Sequence, residues 1–518
     1  MATTGTGYRR VAGIVAFVVG AAGLMACSGA GSGDAGNSLR YGYDLSAQFT
    51  NTFDVSKSKG DCDQIPMFYI YDTLFHWDAD AQKVTPGLAE SWELNGRTLI
   101  VKLRPGVKFT DGAPLDAAAV KAGLEKNSTN DQLTSLDIID TIDVVDPLTV
   151  QLNLNADTGI QLPYAFSGRD GMIMAPKSYK TASTDPVGAG PFKFDAFTPG
   201  SAIALVKNPD YWDTGTYDFP GITFTQTSTG PPAVSAFKAG DVDLIRFEAE
   251  SYKTLKNDPD ADVVIQPTTA YLQLQFRTKE GSPFTDKLVR QAVRYAIDTK
   301  KINEIVQDGQ GEPADQALPP ASPGYNPDVA GAYPYDPQKA KDLLTQAGYP
   351  NGFDFTMVIP GGNIANMERQ GALLQDQLKA VGINAKIERI LGTDIATQYY
   401  IAGKGDAFAA ARLATKYFPG TYEDQWAKFK FVAIWNGAER DDITQLVNEA
   451  QGTADPAVAA AKTREAAKIV SDEALEVPIA FMPQFLAYDK ARVGGTVGGQ
   501  PNICDPPNLS AMTLKTKS

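Results

Sequence analysis

The sequence predicts an α/β fold with more than one domain, and three observations support this prediction. Between residues 39 and 206, short runs of alternating apolar side chains are separated by turn residues, which is typical of strands. From Thr285 onward, apolar residues recur with the 3.6-residue period of helices, and strands follow these helices after short links. The length of 518 residues allows two to four domains of roughly 100 to 200 residues each.

The N-terminus has the pattern of a secretory signal. Arg9 and Arg10 precede an uncharged apolar run of about 15 residues, from Val11 to Met25. This run is shorter than the roughly 20 residues that a membrane-spanning helix needs. We therefore predict that residues 1–26 are a signal peptide rather than a transmembrane anchor.

The segment Leu24-Met25-Ala26-Cys27 resembles the bacterial lipobox, whose cysteine receives a diacylglycerol thioether and becomes the new N-terminus. Cys27 would then anchor the protein to the extracytoplasmic face of the cell membrane, because more than one acyl chain gives stable anchoring. Residues 27–35 are rich in Gly and Ser and are expected to form a flexible tether. The alternative is an ordinary secretory signal with an incidental cysteine.

In the first half of the chain, the clearest elements are a hairpin, a helix and a strand. Asn95-Gly96 lies between strand-like runs over 93–103 and has the composition of a type I′ turn. Residues 116–126 have the pattern of a helix, and apolar residues alternate with polar ones over 148–154. We therefore expect mostly short strands in this part.

The second half is predicted to contain helices that begin at side-chain caps and two strands that follow helices. The stretch 308–337 is dense in Pro and Gly and is expected to form a surface loop that wraps around a domain, with a binding role as the alternative. The predicted helices cover 285–297, 336–348, 364–381 and 455–474, and the predicted strands cover 383–387 and 477–481.

The composition excludes several classes of function. A net charge of −14 without basic clusters argues against binding to nucleic acid or to anionic lipid. His76 is the one histidine, so catalysis by a Ser-His-Asp or Cys-His site would depend on a residue that looks structural. Phosphate-binding glycine loops, His-Glu-x-x-His and paired Cys-x-x-Cys motifs do not occur in the sequence. We therefore expect no enzymatic activity, no metal and no cofactor.

Several motifs recur in a fixed order along the chain. They are YDTLF at 71–75 with PGLAESW at 86–92, LRPGVKFTDG at 103–112, GAGPF at 188–192, VKNPDYW at 206–212, and PF at 283–284 with VRQA at 289–292 and AID at 296–298. Together they resemble the family 5 extracellular solute-binding proteins, the group of the dipeptide- and oligopeptide-binding proteins of bacterial ABC importers. Most of these residues suit turns or cores, so they identify an architecture rather than a ligand.

The resemblance implies a two-lobed periplasmic-binding-protein type II architecture, the Venus-flytrap form, with an extra subdomain in the first lobe near 70–185. Residues 36–268 together with 484–518 would form the first lobe, and residues 269–483 the second. The chain would cross between the lobes near 266–277 and 483–490.

This topology would place Cys62 and Cys504 in the same lobe. An exported chain permits a disulfide, which typically stabilises a fold by about 2 to 4 kcal/mol. Two separate thiols are the alternative.

By this resemblance the protein captures peptides between its lobes and delivers them to the permease subunits of an ABC importer. Ligand binding would shift the population toward the closed form, and no catalysis is needed. We expect a monomer whose partners are a small-molecule ligand, the permease, and the membrane through the lipid anchor. The alternatives are a non-peptide organic solute, such as an oligosaccharide, an opine or an organic anion, and a surface lipoprotein in signalling or adhesion.

The residues that would contact the ligand are expected late in the second lobe and beside the crossings between the lobes. Peptide-binding relatives commonly carry an acidic side chain late in the second lobe that pairs with the peptide ammonium, whereas Arg412 and Lys416 occupy the corresponding run here. An anionic ligand group is therefore expected, held by Arg277 or Arg412 through paired hydrogen bonds. Flat apolar walls could come from Tyr271, Tyr417, Phe418 and Trp426 in the second lobe and from Phe53 and Tyr71 in the first. Salt bridges and core packing are the alternative roles.

Overall fold

The structure is a computed structural model that describes residues 38–59, 62–78, 83–156, 159–361, 365–391, 394–412, 421–428, 430–453, 455–498 and 506–515. The predicted signal peptide, Cys27 and the tether lie outside these residues, so those predictions are untested. Within the described ranges, no helix combines the length and the apolar character needed to span a bilayer.

Helices and strands alternate along the chain. The strands are β1 (Leu39–Tyr43), β2 (Phe75–Asp78), β3 (Lys83–Pro86), β4 (Ala89–Asn95), β5 (Thr98–Leu103), β6 (Ile139–Asp146), β7 (Thr149–Leu154), β8 (Phe192–Thr198), β9 (Ala202–Lys207), β10 (Gly221–Gln226), β11 (Leu244–Phe247), β12 (Ala261–Gln266), β13 (Tyr271–Phe276), β14 (Glu312–Pro313), β15 (Phe353–Gly361), β16 (Ile383–Leu391), β17 (Ala407–Arg412), β18 (Glu476–Phe481), β19 (Gln484–Asp489), β20 (Val493–Gly495) and β21 (Met512–Leu514). The helices are α1 (Leu45–Gln48), α2 (Gln64–Tyr71), α3 (Ala117–Asn127), α4 (Leu162–Ala165), α5 (Pro231–Lys238), α6 (Tyr252–Lys256), α7 (Lys287–Ala296), α8 (Thr299–Val306), α9 (Pro337–Gln346), α10 (Ala365–Lys379), α11 (Glu423–Trp426), α12 (Phe431–Asn436), α13 (Asp441–Gln451) and α14 (Pro456–Asp472), with a π-helical turn at Ala396–Ile401.

Two large mixed sheets form the centres of two lobes. The first lobe has a seven-stranded sheet in the order β12-β19-β11-β1-β10-β9-β8, and the second has a six-stranded sheet in the order β14-β18-β13-β17-β15-β16. A separate antiparallel sheet, β4-β5-β7-β6, lies within the stretch predicted as the extra subdomain. The predicted α/β, two-lobed fold class is therefore confirmed.

The chain passes between the two sheets twice, and both passages are short. Residues 267–270 join β12 to β13, and residues 482–483 join β18 to β19. The two passages are bonded to each other, because Thr268 Oγ1 donates to the carbonyl of Met482 at 2.6 Å and the Met482 amide donates to Ala270 at 2.7 Å. Their pairing brings the start of β13 and the end of β18 next to the first lobe.

The predicted local elements are present in the structure. The predicted hairpin joins β4 to β5, but its turn is not the predicted type I′, which needs φ > 0 at both central residues. Asn95 pairs with Thr98, and of the two residues between them only Gly96 has a positive φ, +57°. Aspartates cap the predicted helices: Asp286 accepts from the Leu288 amide at 2.8 Å, and Asp336 accepts from the Lys339 amide at 2.9 Å. The Pro- and Gly-rich stretch wraps around the second lobe, where its strand β14 pairs with β18.

The family-like motifs meet around one buried carboxylate. Asp72 accepts hydrogen bonds from Tyr211 Oη at 3.0 Å and from Trp212 Nε1 at 2.8 Å, so it ties the YDTLF motif to the VKNPDYW motif. A Cβ on Gly190, in the GAGPF motif, would lie 2.6 Å from the carbonyl of Tyr69, which is too close for any side chain. These motifs therefore hold the first lobe together, as the sequence indicated.

Candidate functional site

The carboxyl ends of parallel strands from both lobes meet at one boundary, which we call the interlobe boundary. In the first lobe β10 and β11 run parallel to β1, and in the second lobe β16 and β17 run parallel to β15. Glu248 directly follows β11, and Asn366 is the second residue of α10, the helix after β15. Asn366 Nδ2 donates to Glu248 Oε2 at 2.6 Å. Because ligands of open α/β sheets bind outside the carboxyl ends of the strands, this boundary is the candidate ligand site.

The lobes touch at several further places along the boundary. Arg369 of α10 forms a salt bridge with Glu250 of the first lobe. Lys253 and Asp308 form a second salt bridge at 2.5 Å. At another point, Gln451 Nε2 donates to Gln161 Oε1 at 3.1 Å. The structure therefore has the two lobes in contact rather than splayed apart.

Arg412 lies at this boundary because it ends β17. Its Nη1 donates to Tyr271 Oη at 3.0 Å, and its Nη2 donates to the carbonyl of Thr421 at 2.5 Å. The guanidinium carbon is 5.9 Å from the ring centre of Tyr271 and 5.8 Å from that of Trp426, within the range of cation–π attraction. Three of the predicted site residues are therefore close together.

Glu476 lies in the interior of the lobe next to Tyr271, and the sequence did not predict its role. Tyr271 Oη donates to Glu476 Oε2 at 2.9 Å, and the glutamate is fully buried at the start of β18. Burial raises the pKa of the Glu476 carboxyl, whereas Arg412, the Tyr271 hydroxyl and Arg294 act in the opposite direction. The only sequence signal was a single acidic residue at the start of an otherwise apolar strand.

Amide side chains extend the polar surface of the second lobe next to Tyr271. Gln273 follows Tyr271 on the same face of β13 and is buried, and Gln425 Nε2 lies 3.5 Å from Gln273 Oε1. Gln370 of α10 donates to the carbonyl of Gln273 at 3.0 Å, which connects this surface to the helix that touches Glu248. Amides offer both donors and acceptors, so these buried side chains connect β13 to α10 through hydrogen bonds.

Arg277 has a position that does not suit the predicted carboxylate clamp. β13 begins beside the first passage between the lobes and runs away from it over six residues, about 20 Å, so Arg277 lies beyond the far end of the strand. Arg277 is buried, and it donates to the carbonyls of Gly405 at 2.9 Å and Tyr399 at 2.5 Å. These contacts favour a structural role for Arg277 in closing the loop before β17, and its ligand role stays a prediction.

The aromatic candidates of the first lobe lie in its core. Phe53 is fully buried and its ring centre is 5.0 Å from that of Phe49. Tyr71 is also fully buried, and its hydroxyl donates to the carbonyl of Phe53 at 2.6 Å. These contacts favour the core-packing role that was the alternative for both residues. Tyr417 and Phe418 lie outside the described residues.

Comparison with known proteins identifies the group to which this architecture belongs. The family model for bacterial extracellular solute-binding proteins, family 5 (middle), matches residues 83–429. The glutathione-binding protein GsiB of Salmonella paratyphi A is 28% identical over 448 residues, covering 82% of this chain and 85% of GsiB. GsiB of Pectobacterium atrosepticum is 29% identical over 377 residues, covering 69% of this chain and 70% of the relative.

Solved structures share the fold at lower identity. The dipeptide-binding protein of Pseudoalteromonas sp. SM9913 in complex with Met-Leu superposes with a TM-score of 0.77 at 21% identity, covering 92% of this chain and 100% of that one. The binding protein AgaA of A. tumefaciens R10 in complex with agropinic acid gives a TM-score of 0.76 at 24% identity, covering 93% and 99%.

Family 5 proteins bind small-molecule ligands outside the cytoplasm for ABC transporters, and they are transport binding proteins rather than enzymes. The family model covers well over half of the chain, and the fold agrees with it along nearly the whole length. This protein belongs to the bacterial extracellular solute-binding proteins of family 5.

Proposed function

We propose that this protein captures peptides or peptide-like solutes that carry a carboxylate at the interlobe boundary and delivers them to the permease of an ABC importer. The observation that carries the proposal is the position of Arg412, at the carboxyl end of β17 and within 6 Å of the ring centres of both Tyr271 (5.9 Å) and Trp426 (5.8 Å). A guanidinium there offers paired donors to a carboxylate. Glutathione and Met-Leu, which the names of the relatives mention, each contain a carboxylate and an amide.

The lobes would act as a clamp around the solute. We place the first lobe at 36–268 with 484–518, the second at 269–483, and the hinge at the passages 267–270 and 482–483. A solute that touches both lobes binds the closed form better than the open one, so it stabilises closure by the difference in affinity. The closed lobes would then be the form that the permease recognises.

A non-peptide organic anion, such as an opine, is the second candidate ligand. Arg412 occupies the run where peptide-binding relatives commonly carry an acidic side chain for the peptide ammonium. The relative in complex with agropinic acid shows that the fold also accommodates such a ligand in another protein. A ligand without an ammonium group would need no acidic partner at this position.

The decisive experiment identifies the bound solute directly. The mature protein is purified without added ligand and denatured, and the released small molecules are identified by mass spectrometry. In parallel, glutathione, Met-Leu and agropinic acid are titrated by calorimetry. We expect release or binding of a carboxylate-bearing solute; release of a neutral oligosaccharide with no response to any carboxylate would overturn the proposal.

Arg412→Ala tests the role of the guanidinium in that assay. We expect at least a tenfold loss of affinity for the carboxylate ligand, because a charge-assisted hydrogen bond contributes roughly 1.5 to 3 kcal/mol. Arg389→Ala is the matched control, since Arg389 pairs with Glu368 within the second lobe on an exposed surface. Full affinity of Arg412→Ala would remove Arg412 from the site.

We propose further that the mature protein begins at Cys27 and is a monomer held by its lipid on the extracytoplasmic face of the cell membrane. The apolar run before Cys27 and the Gly/Ser-rich residues after it support this arrangement. Metabolic labelling with a radioactive fatty acid should mark the wild type but not Cys27→Ser. A wild-type protein that takes up no labelled fatty acid would contradict the lipid anchor.

A further inference from the structure

We infer that Glu476 acts through Tyr271 to position the Arg412 guanidinium and to limit how strongly the ligand site attracts anions. Glu476 would thus be a positioning residue that sets the charge preference of the site without touching the solute. This inference rests on the proposed function, because it requires Arg412 to meet the ligand.

The three side chains form a continuous chain of hydrogen bonds. Arg412 Nη1 donates to Tyr271 Oη at 3.0 Å, and the same hydroxyl donates its proton to Glu476 Oε2 at 2.9 Å. Because the hydroxyl proton is donated to the glutamate, the tyrosine oxygen acts as the acceptor for the guanidinium. The orientation of Arg412 is therefore tied to a carboxyl group that lies deeper in the lobe.

The three residues differ in how far they are buried, and this difference gives them different roles. Tyr271 and Glu476 are both fully buried, whereas Arg412 remains partly exposed at the interlobe boundary. Only Arg412 of the three is therefore open to a solute between the lobes. Glu476 can influence such a solute only through its charge and through the residues in front of it.

The charged and titratable groups that act on Glu476 come from four other segments of the second lobe. They are Tyr271 of β13, Arg294 of α7, Arg412 of β17 and Tyr422 just before α11. Arg294 is held in place by the carbonyl of Asp315 at 3.2 Å and by the ring of Tyr333 at 4.1 Å. Of these two cations, only Arg412 is linked to Glu476 through the Tyr271 hydroxyl.

A purely structural role explains Glu476 poorly. Its Oε1 has no hydrogen-bond partner among the described residues, so the carboxyl is incompletely satisfied in a buried site. Such a group costs stability that an apolar side chain would not cost. The other residues of β18 are apolar and buried, so an apolar side chain would suit this strand. The role that we infer explains the glutamate better, because its negative charge lowers the positive potential that Arg412 creates at the ligand site.

The test compares Glu476→Gln with the wild type, using glutathione and its diamide, in which both carboxylates are converted to amides. Affinities are measured by calorimetry between pH 5.5 and 8, where the glutathione carboxylates stay ionised. Gln keeps the size of the side chain and its acceptor for Tyr271 but removes the charge. Glu473→Gln, the same change at a half-exposed residue that pairs with Lys287, is the matched control.

We expect Glu476→Gln to bind glutathione about threefold or more tightly at pH 8 and the diamide no better, since only the anion senses the lost negative charge. Because burial raises the pKa of the Glu476 carboxyl, the affinity of the wild type should move toward that of the variant as the pH falls. In a Tyr271→Phe background the gain from Glu476→Gln should shrink, because the two residues act as one unit.

Two outcomes overturn the inference in distinguishable ways. If the wild type binds glutathione and Glu476→Gln changes neither affinity nor pH profile, the inference fails while the proposed function stands. If the wild type binds neither probe and releases no carboxylate-bearing solute, the proposed function fails and the inference fails with it. An equal gain in Glu473→Gln would show a general charge effect and would also overturn the role of Glu476.

Discussion

Asn366 of the second lobe donates a hydrogen bond to Glu248 of the first lobe at 2.6 Å, and Arg369, one turn further along α10, pairs with Glu250. The same helix face therefore makes both contacts with the residues that follow β11. These contacts exist only when the lobes are together, so they favour the closed form even without ligand. The equilibrium between the open and closed forms is therefore already biased toward closure before a solute binds.

Arg369→Ala should open the ligand-free protein. The pair is half-exposed, so its removal should cost about 1 kcal/mol or less, which changes the closed-to-open ratio up to about fivefold. Small-angle X-ray scattering without ligand should show a larger radius of gyration, and raised salt should reduce the difference from the wild type.

Arg389→Ala is the control for this experiment, because Arg389 pairs with Glu368 of α10 at 2.7 Å without reaching the first lobe. It should leave the scattering profile unchanged. If Arg369→Ala and Arg389→Ala give the same profile as the wild type, the Glu250 pair has no part in closure.

Arg277→Ala should lower stability without a specific loss of ligand affinity. Removing the buried guanidinium leaves the carbonyls of Gly405 and Tyr399 without these donors, and we expect the free energy of unfolding to fall by about 2 to 4 kcal/mol. Denaturant titration measures this change, and calorimetry of the folded variant measures affinity. A tenfold weaker affinity at unchanged stability would restore Arg277 as a ligand contact.

Arg277 and Arg412 show which features of the candidate site could not be predicted from the sequence. Both were candidates for a carboxylate clamp, yet they lie at opposite ends of the second-lobe sheet. β13 and β17 are antiparallel, with Tyr271 opposite Arg412 and Phe276 opposite Ala407. Strand direction and register depend on pairing between residues far apart in the chain, so the sequence did not predict the separation of these two arginines.

The caps, the hairpin and the two-lobed architecture could be predicted because they depend on local spacing or on motifs. Glu476 could not be predicted in the same way, since its environment is built by Tyr271, Arg294 and Arg412 from three other elements. Likewise, Asp72 meets Trp212 across 140 positions of sequence. Long-range polar contacts of this kind leave no periodic signal in a single sequence.

Cys62 and Cys504 should be joined by a disulfide in the exported protein. Cys62 is disulfide-bonded in the structure, while Cys504 lies outside the described residues. The neighbouring segments are close together, because Tyr69 Oη donates to the carbonyl of Pro507 at 2.7 Å. Reductant should lower the free energy of unfolding by about 2 to 4 kcal/mol.

Peptide mapping without reduction checks the pairing of these cysteines, and Cys62→Ser with Cys504→Ser provides the control, since it should be as stable as the reduced wild type. A cross-linked peptide that contains another partner for Cys62 would refute the assignment.

The single histidine allows a direct test of electrostatics in the first lobe. His76 Nε2 is 2.6 Å from Asp72 Oδ1, and its side chain is 36% exposed. Burial lowers the pKa of His76, but the charge and hydrogen bond of Asp72 outweigh it and raise the pKa above its usual value of about 6.5. Because the chain has one histidine, NMR of histidine-labelled protein reports one titration curve.

We expect the titration midpoint of His76 to lie above 6.5, and to fall when Asp72→Asn removes the carboxylate.

The raised pKa of His76 means that the stabilisation from the pair of His76 and Asp72 is fully present below a pH of about 6.5 and is lost as the pH rises through the folded-state value. The pKa of Asp72 is lowered because His76 outweighs the effect of its burial, so its own contribution is lost only as the pH falls through that lowered value. His76→Gln should therefore destabilise the protein more at pH 5.5 than at pH 9, as measured by thermal unfolding. A wild-type midpoint at or below 6.5, with equal destabilisation at both pH values, would show that the pair contributes packing and no net charge interaction.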